Sequence, residues 1–89
     1  MKSLENFLDE SGRLLCFPAK QAMKQEALRY LAGKFQQGRA YTEREVNDLL
    51  NQWHVFHDPA TLRRELYDHR FLNRDAYGTA YELAPEETP

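Results

Sequence analysis

Two adjacent arginines, Arg63 and Arg64, stand in the stretch DPATLRREL and carry the clearest chemical potential in this chain. A guanidinium offers a planar fork of N–H donors that matches phosphate oxygens or a guanine edge. At 100° per residue along a helix, Ala60, Arg63, Arg64 and Tyr67 fall roughly opposite Leu62 and Leu66. With the leucines inward, Thr61, Arg63, Arg64 and Tyr67 would face a duplex, and Arg74 and Tyr77 would reach phosphates from a following hairpin. Lys20 and Lys24, one turn apart near the start of an earlier helix, add a second cationic pair with an anion or phosphate contact as its functional reading. The candidate DNA-binding residues are therefore Thr61, Arg63, Arg64, Tyr67, Arg74, Tyr77, Lys20 and Lys24.

A plainer reading stands beside each. From Asp58 to Gly78, Arg63, Arg64, Arg70 and Arg74 are opposed by Asp58, Glu65, Asp68 and Asp75, so the formal sum is zero. Phosphate neutralisation supplies most non-specific affinity, and this region has few cations to spare for it. The arginine pair then becomes a solvated face, partly neutralised by Glu65 and Asp68, and the lysine stems become covers for apolar surface.

Other chemistry is thinner. HVFHD places His54 three residues before His57, with Asp58 next, a set that would suit zinc or nickel. Asp58 serves better as a helix cap, no third histidine or cysteine is positioned by sequence, and His69 falls on the side of Leu62 and Leu66 as a hydrogen-bonded ring. No nucleophile-and-base spacing, glycine-rich phosphate loop or distinctive carboxylate pair is present, so neither an enzyme nor a cofactor is expected. Cys16, the one cysteine, has no partner for an internal disulfide and is expected to pack as a small hydrophobe in RLLCFP.

Helices, turns and strands along the chain must position these groups. SLENFLD forms a short helix, ESGR a turn and RLLCF a short strand stopped by Pro18. A first long helix over roughly 18–35 carries the stripe Met23, Ala27, Leu28, Leu31 and Phe35 and ends at Gly38 in QQGR. YTEREV is a capping box, Thr42 with Glu45, flanked by Tyr41 and Val46 as a hydrophobic staple. The amphipathic helix it starts runs through Leu49, Leu50 and Trp53. HVFH then separates it from a third helix, capped by Asp58 with Pro59 in its first turn. FLNRDAYGTAYEL reads as two strands about an AYG turn.

This order predicts an α+β fold, a winged helix-turn-helix with three main helices, a C-terminal β-hairpin and a short N-terminal strand. One domain holds it: residues 1–17 as the N-terminal helix and strand, 18–84 as the winged helix, and 85–89 as a flexible tail. The 89 residues carry 42% hydrophobic and 29% charged side chains, ordinary for a soluble globular chain. A net charge of −2 and a pI near 5.9 exclude a strong non-specific nucleic-acid binder. The longest apolar run, LLCF, is far too short to span a bilayer, and MKSLENFLDES lacks the apolar stretch of a signal peptide. No membrane partner and a cytoplasmic location are expected.

FPAK, YLAGKF, GRAYTEREVNDLL, TLRREL and FLNRDAYGTAY together resemble a bacterial domain-of-unknown-function family, from about Phe7 to Leu83. Such domains occur alone or at the C-terminal end of arsenic-repressor-type transcriptional regulators. The resemblance implies a winged-helix-like domain tied to transcriptional regulation and brings no catalytic residues. One position departs from it: Arg70 stands where such domains usually have a glycine. Two functions remain open, a transcription-regulatory domain binding duplex DNA through helix three and the wing, and a non-catalytic module for a partner protein or a homodimer. The second draws on the aromatics Trp53, Phe56, Tyr67 and Tyr77.

Overall fold

The computed structural model describes residues 4–77 and 79–85. Most of the expected tail, and Gly78 of the AYG turn, lie outside the described residues. A 3-10 turn, Leu4–Phe7, precedes α1 (Gln21–Ala32), β1 (Ala40–Thr42), α2 (Glu43–Asn51), α3 (Pro59–Asp68), β2 (Leu72–Arg74) and β3 (Ala80–Leu83). β3 lies between β1 and β2, antiparallel to both, with Tyr81 opposite Tyr41 on one side and Arg74 on the other. Among the described residues the fold is α+β, three α-helices and a small three-stranded sheet, compatible with a winged-helix-like arrangement.

The N-terminal strand expected in RLLCF does not form. Asp9 accepts the N–H groups of Ser11 and Arg13 and the Arg13 Nε–H, closing a tight loop through Gly12. Gly12 has φ +81°, and a Cβ there would meet the Tyr30 hydroxyl at 2.9 Å, so this loop needs glycine. The chain leaves the loop with only Leu14 paired, antiparallel to Leu8 and parallel to His54. It then bends, which buries Leu14 and Pro18 but exposes Leu15 and Cys16. The packed Cys16 expected from its apolar neighbours is thereby corrected.

The third strand is instead Ala40–Thr42, immediately ahead of the α2 cap. Tyr41 reaches the core from it, with its ring edge-on to Phe35 and its hydroxyl accepting the Gln36 N–H at 2.7 Å. α1 is also shorter than expected. Pro18 is buried upstream of it, Lys20 is extended at its N-cap with no side-chain cap bond, and Phe35 is held just past its end by a turn. The stripe Ala27, Leu28, Leu31 and Phe35 is buried as expected, with Met23 half-buried at its edge.

α2 begins with both bonds of the capping box, Glu45 N–H to Thr42 Oγ1 at 3.1 Å and Thr42 N–H to Glu45 Oε1 at 2.9 Å. α3 begins with the Thr61 N–H on Asp58 Oδ1 at 3.2 Å and Pro59 in the first turn, where a missing N–H is harmless. Leu62 and Leu66 are fully buried with Val46, Leu50, Leu28, Leu31 and Leu72.

α3 ends in a Schellman motif: Arg70 N–H bonds the Tyr67 carbonyl at 3.0 Å and Phe71 N–H bonds the Leu66 carbonyl at 2.8 Å. That geometry holds Arg70 at φ +64°, a left-handed conformation that penalises any side chain with a Cβ. Arg70→Gly is expected to stabilise the fold by about 1 kcal/mol, raising the thermal midpoint by roughly 5 °C, while Arg70→Ala gains nothing. Thermal melts of the two variants check this.

Candidate nucleic-acid interface

What positions α3 is a buried histidine. His54 is 4% exposed, its Nδ1 lies 2.6 Å from the Leu50 carbonyl, and its Nε2 accepts the Asp58 N–H at 2.9 Å. Because Nε2 is an acceptor, the ring proton belongs on Nδ1, donated to Leu50. The imidazole thus ties the last turn of α2 to the cap of α3, with its ring edge-on to Phe56 at 4.7 Å. Behind it, Leu14 N–H bonds the Trp53 carbonyl and Val55 N–H bonds the Leu14 carbonyl, at 2.8 and 3.0 Å. His57 reverses the chain at φ +54°. Both nitrogens of His54 are therefore committed and Asp58 is a cap. Among the described residues no group of three or more His, Cys, Asp or Glu side chains is placed to hold a metal.

With the leucines inward, Thr61, Arg64 and Tyr67 are exposed on the outer side of α3. Arg63 is not free on that side. Its Nη1 donates to Asn47 Oδ1, its Nη2 lies 3.3 Å from Glu43 Oε1, and its side chain is only 18% exposed. The flank toward α1 is also occupied. Lys24 Nζ is 3.8 Å from Glu65 Oε1 and sits over the Phe17 ring at 5.3 Å. Glu65 Oε2 faces His69 Nε2 at 3.5 Å, and His69 Nδ1 meets Gln25 Nε2 at 2.8 Å. Glu65 therefore answers Lys24 and His69, not the arginine pair. Lys20 is exposed at the N-cap of α1.

The hairpin meets α3 through one stack. The Arg74 guanidinium lies 4.4 Å from the Tyr67 ring centre, and hydrogen bonding to the Tyr81 and Tyr67 side chains favours its charged form. Asp75 closes the hairpin by accepting the Thr79 N–H and hydroxyl, each at 2.7 Å, and the Ala80 N–H at 3.3 Å. Tyr77 projects from the tip, 88% exposed. Thr61, Arg64, Tyr67 and Arg74 thus belong to one outward surface spanning helix and hairpin.

The other aromatics are engaged. Lys34 Nζ sits 3.9 Å from the Trp53 ring centre and 4.5 Å from that of Tyr30, while Phe56 packs on His54. Sequence reasoning missed Glu43 and Asn47 as partners of Arg63. Their signal was an i, i+4 polar pair flanking the Val46–Leu50 stripe, but only the packing of α2 on α3 says which arginine they meet.

A chain of three helices and a three-stranded antiparallel sheet, with one exposed helix face continued by a hairpin, is the class these observations define. The chain belongs to the family described as "Uncharacterized protein conserved in bacteria (DUF2087)", which it matches over residues 13–83. No curated protein and no solved structure matches it. No helix among the described residues is long and apolar enough to cross a membrane.

Removing the His54 ring leaves the half-buried Asp58 N–H without its partner and a void beside Phe56, while the Leu50 carbonyl keeps only the Trp53 N–H. His54→Ala is therefore expected to cost about 3 kcal/mol, and His54→Gln less, since an amide supplies both a donor and an acceptor; urea unfolding measures both. Acid acts through the caps. Hydrogen bonds from Thr61, side chain first and backbone next, lower the Asp58 pKa, and the Thr42 backbone N–H lowers that of Glu45. Their stabilisation is complete above the ordinary carboxylate range and is lost as pH falls through the lowered folded values. The urea midpoint is expected to hold level near neutrality and to fall below about pH 4, with a weaker fall on the acid side in Asp58→Asn.

Proposed function

We propose that this chain is a winged-helix domain that binds duplex DNA, with α3 in the major groove and the β2–β3 hairpin against the backbone. The single observation that carries this reading is the Arg74–Tyr67 stack, which joins the outer side of α3 to the hairpin as one cationic and aromatic surface. The element order, with β1 between α1 and α2 and β3 central in the sheet, supports the winged-helix assignment. So does the resemblance to domains found with arsenic-repressor-type regulators, which also points to transcriptional control.

On this reading Thr61, Arg64 and Tyr67 face base edges and phosphates, Arg74 and Tyr77 meet the backbone, and Lys20 adds a flanking cation. Lys24 and Arg63 instead hold α3 in place, because both already have carboxylate partners. Arg64, Arg74 and Lys20 leave about three phosphate contacts, which corresponds to a log–log salt slope of roughly −3.

A second reading has its own observation. Tyr77 is 88% exposed and residues 58–78 sum to zero formal charge, which fits a protein partner or a second copy better than a polyanion. Light scattering over a concentration series tests the self-association form, and a monomer throughout removes it.

Fluorescence anisotropy with labelled duplex DNA tests the leading reading. A fourfold rise in salt is expected to weaken binding by roughly 40-fold, and Arg64→Ala to flatten the slope by about 0.9. Absence of binding at low salt, or an affinity indifferent to salt, overturns it.

A further inference from the structure

We infer that Glu43 acts as an intramolecular stand-in for a DNA phosphate, holding Arg63 as a reserve contact that is withheld from the duplex. The inference rests on the DNA-binding reading and concerns the regulation of that same surface.

Both terminal nitrogens of Arg63 are satisfied from α2, one by the Asn47 amide oxygen and one by the Glu43 carboxylate at 3.3 Å. A phosphate offers the same two things to a guanidinium, a pair of oxygens and a negative charge. Burial is unequal across the pair: the Arg63 side chain is 18% exposed and that of Glu43 is 55% exposed. The carboxylate therefore sits at the rim, where solvent and an arriving anion reach it, while the guanidinium sits just behind.

Position makes the competition relevant. Arg63 and Tyr67 are one helical turn apart on the same edge of α3, and Tyr67 carries the Arg74 guanidinium at 4.4 Å. An Arg63 released from Glu43 would extend the line of cations along that edge. Held as it is, the pair presents no net charge, and Glu43 at the first position of α2 presents an acid to any backbone crossing there. Asn47 is a neutral acceptor, so with Glu43 neutralised the Arg63 guanidinium keeps its full charge for a phosphate.

Glu43→Gln isolates the charge, because the amide keeps an acceptor oxygen for Arg63 and suits an exposed first turn. Arg63→Gln is the companion variant: it removes the guanidinium and leaves a neutral polar side chain on that flank, while the fully buried Leu62 and Leu66 still hold α3. Melting curves of each full-length variant confirm folding before titration. Binding of labelled duplex DNA is measured over a salt series for the native chain, each single variant and the double variant.

The expected result is that Glu43→Gln tightens low-salt binding about tenfold and steepens the salt slope by about 0.9, one further phosphate contact. Arg63→Gln alone changes affinity less than about twofold, and the double variant loses the whole gain. If the native chain binds but Glu43→Gln brings no gain, the withheld-arginine inference is overturned while the DNA reading stands. A gain that survives Arg63→Gln also overturns it, because Glu43 would then merely repel the duplex. If neither the native chain nor Glu43→Gln binds DNA at low salt, the DNA reading itself fails and takes the inference with it.

Discussion

Two leucines one turn apart allow α3 a single rotational setting. Leu62 and Leu66 are fully buried, and burying each such side chain is worth about 2 kcal/mol. Rotating α3 to any other phase would expose one of them, a loss larger than the roughly 1 kcal/mol or less of an exposed ion pair. The leucines therefore decide where every polar side chain of this helix points, and the charges arrange themselves within that constraint.

The rotational setting divides the polar residues of α3 into two flanks and an outer face. Arg63 lies on the flank toward α2 and Glu65 on the flank toward α1, and each finds an opposite charge there, Glu43 and Lys24. Thr61 and Arg64 lie on the outer face and Tyr67 at its edge. Adjacent arginines of identical chemistry thus have different environments. One braces the helix pair and the other is open to solvent, a consequence of 100° of helical rotation.

The axial setting of α3 has a separate origin. The His54 ring accepts the Asp58 N–H and holds the Leu50 carbonyl, so the start of one helix is bonded to the end of the preceding one through a rigid aromatic ring. Leu14, fully buried and backbone-bonded on both sides of His54, braces the same turn from the N-terminal segment. At its other end α3 stops at the Arg70 left-handed residue, from which Leu72 enters the core and starts β2. The hairpin then returns over Tyr67, where Arg74 joins helix and sheet.

Local signals in the sequence determined the helix starts, because a cap is a contact between residues three apart: Thr42 with Glu45, and Asp58 with Thr61. They also determined the inward faces, since 3.6-residue periodicity reports burial directly, and the two hairpin strands. RLLCF read as a strand and Cys16 as packed because apolar character is visible locally, whereas the loop through Gly12 that bends the segment away depends on Tyr30 and Trp53. β1 was not legible, since three residues have no period and gain strand geometry only by pairing with Tyr81 and its neighbours. Likewise the tertiary structure alone decided which arginine is paired and which is open to solvent. The partners of Arg63 lie 16 and 20 residues upstream, and only the packing of α2 against α3 brings Asn47 and Glu43 within its reach.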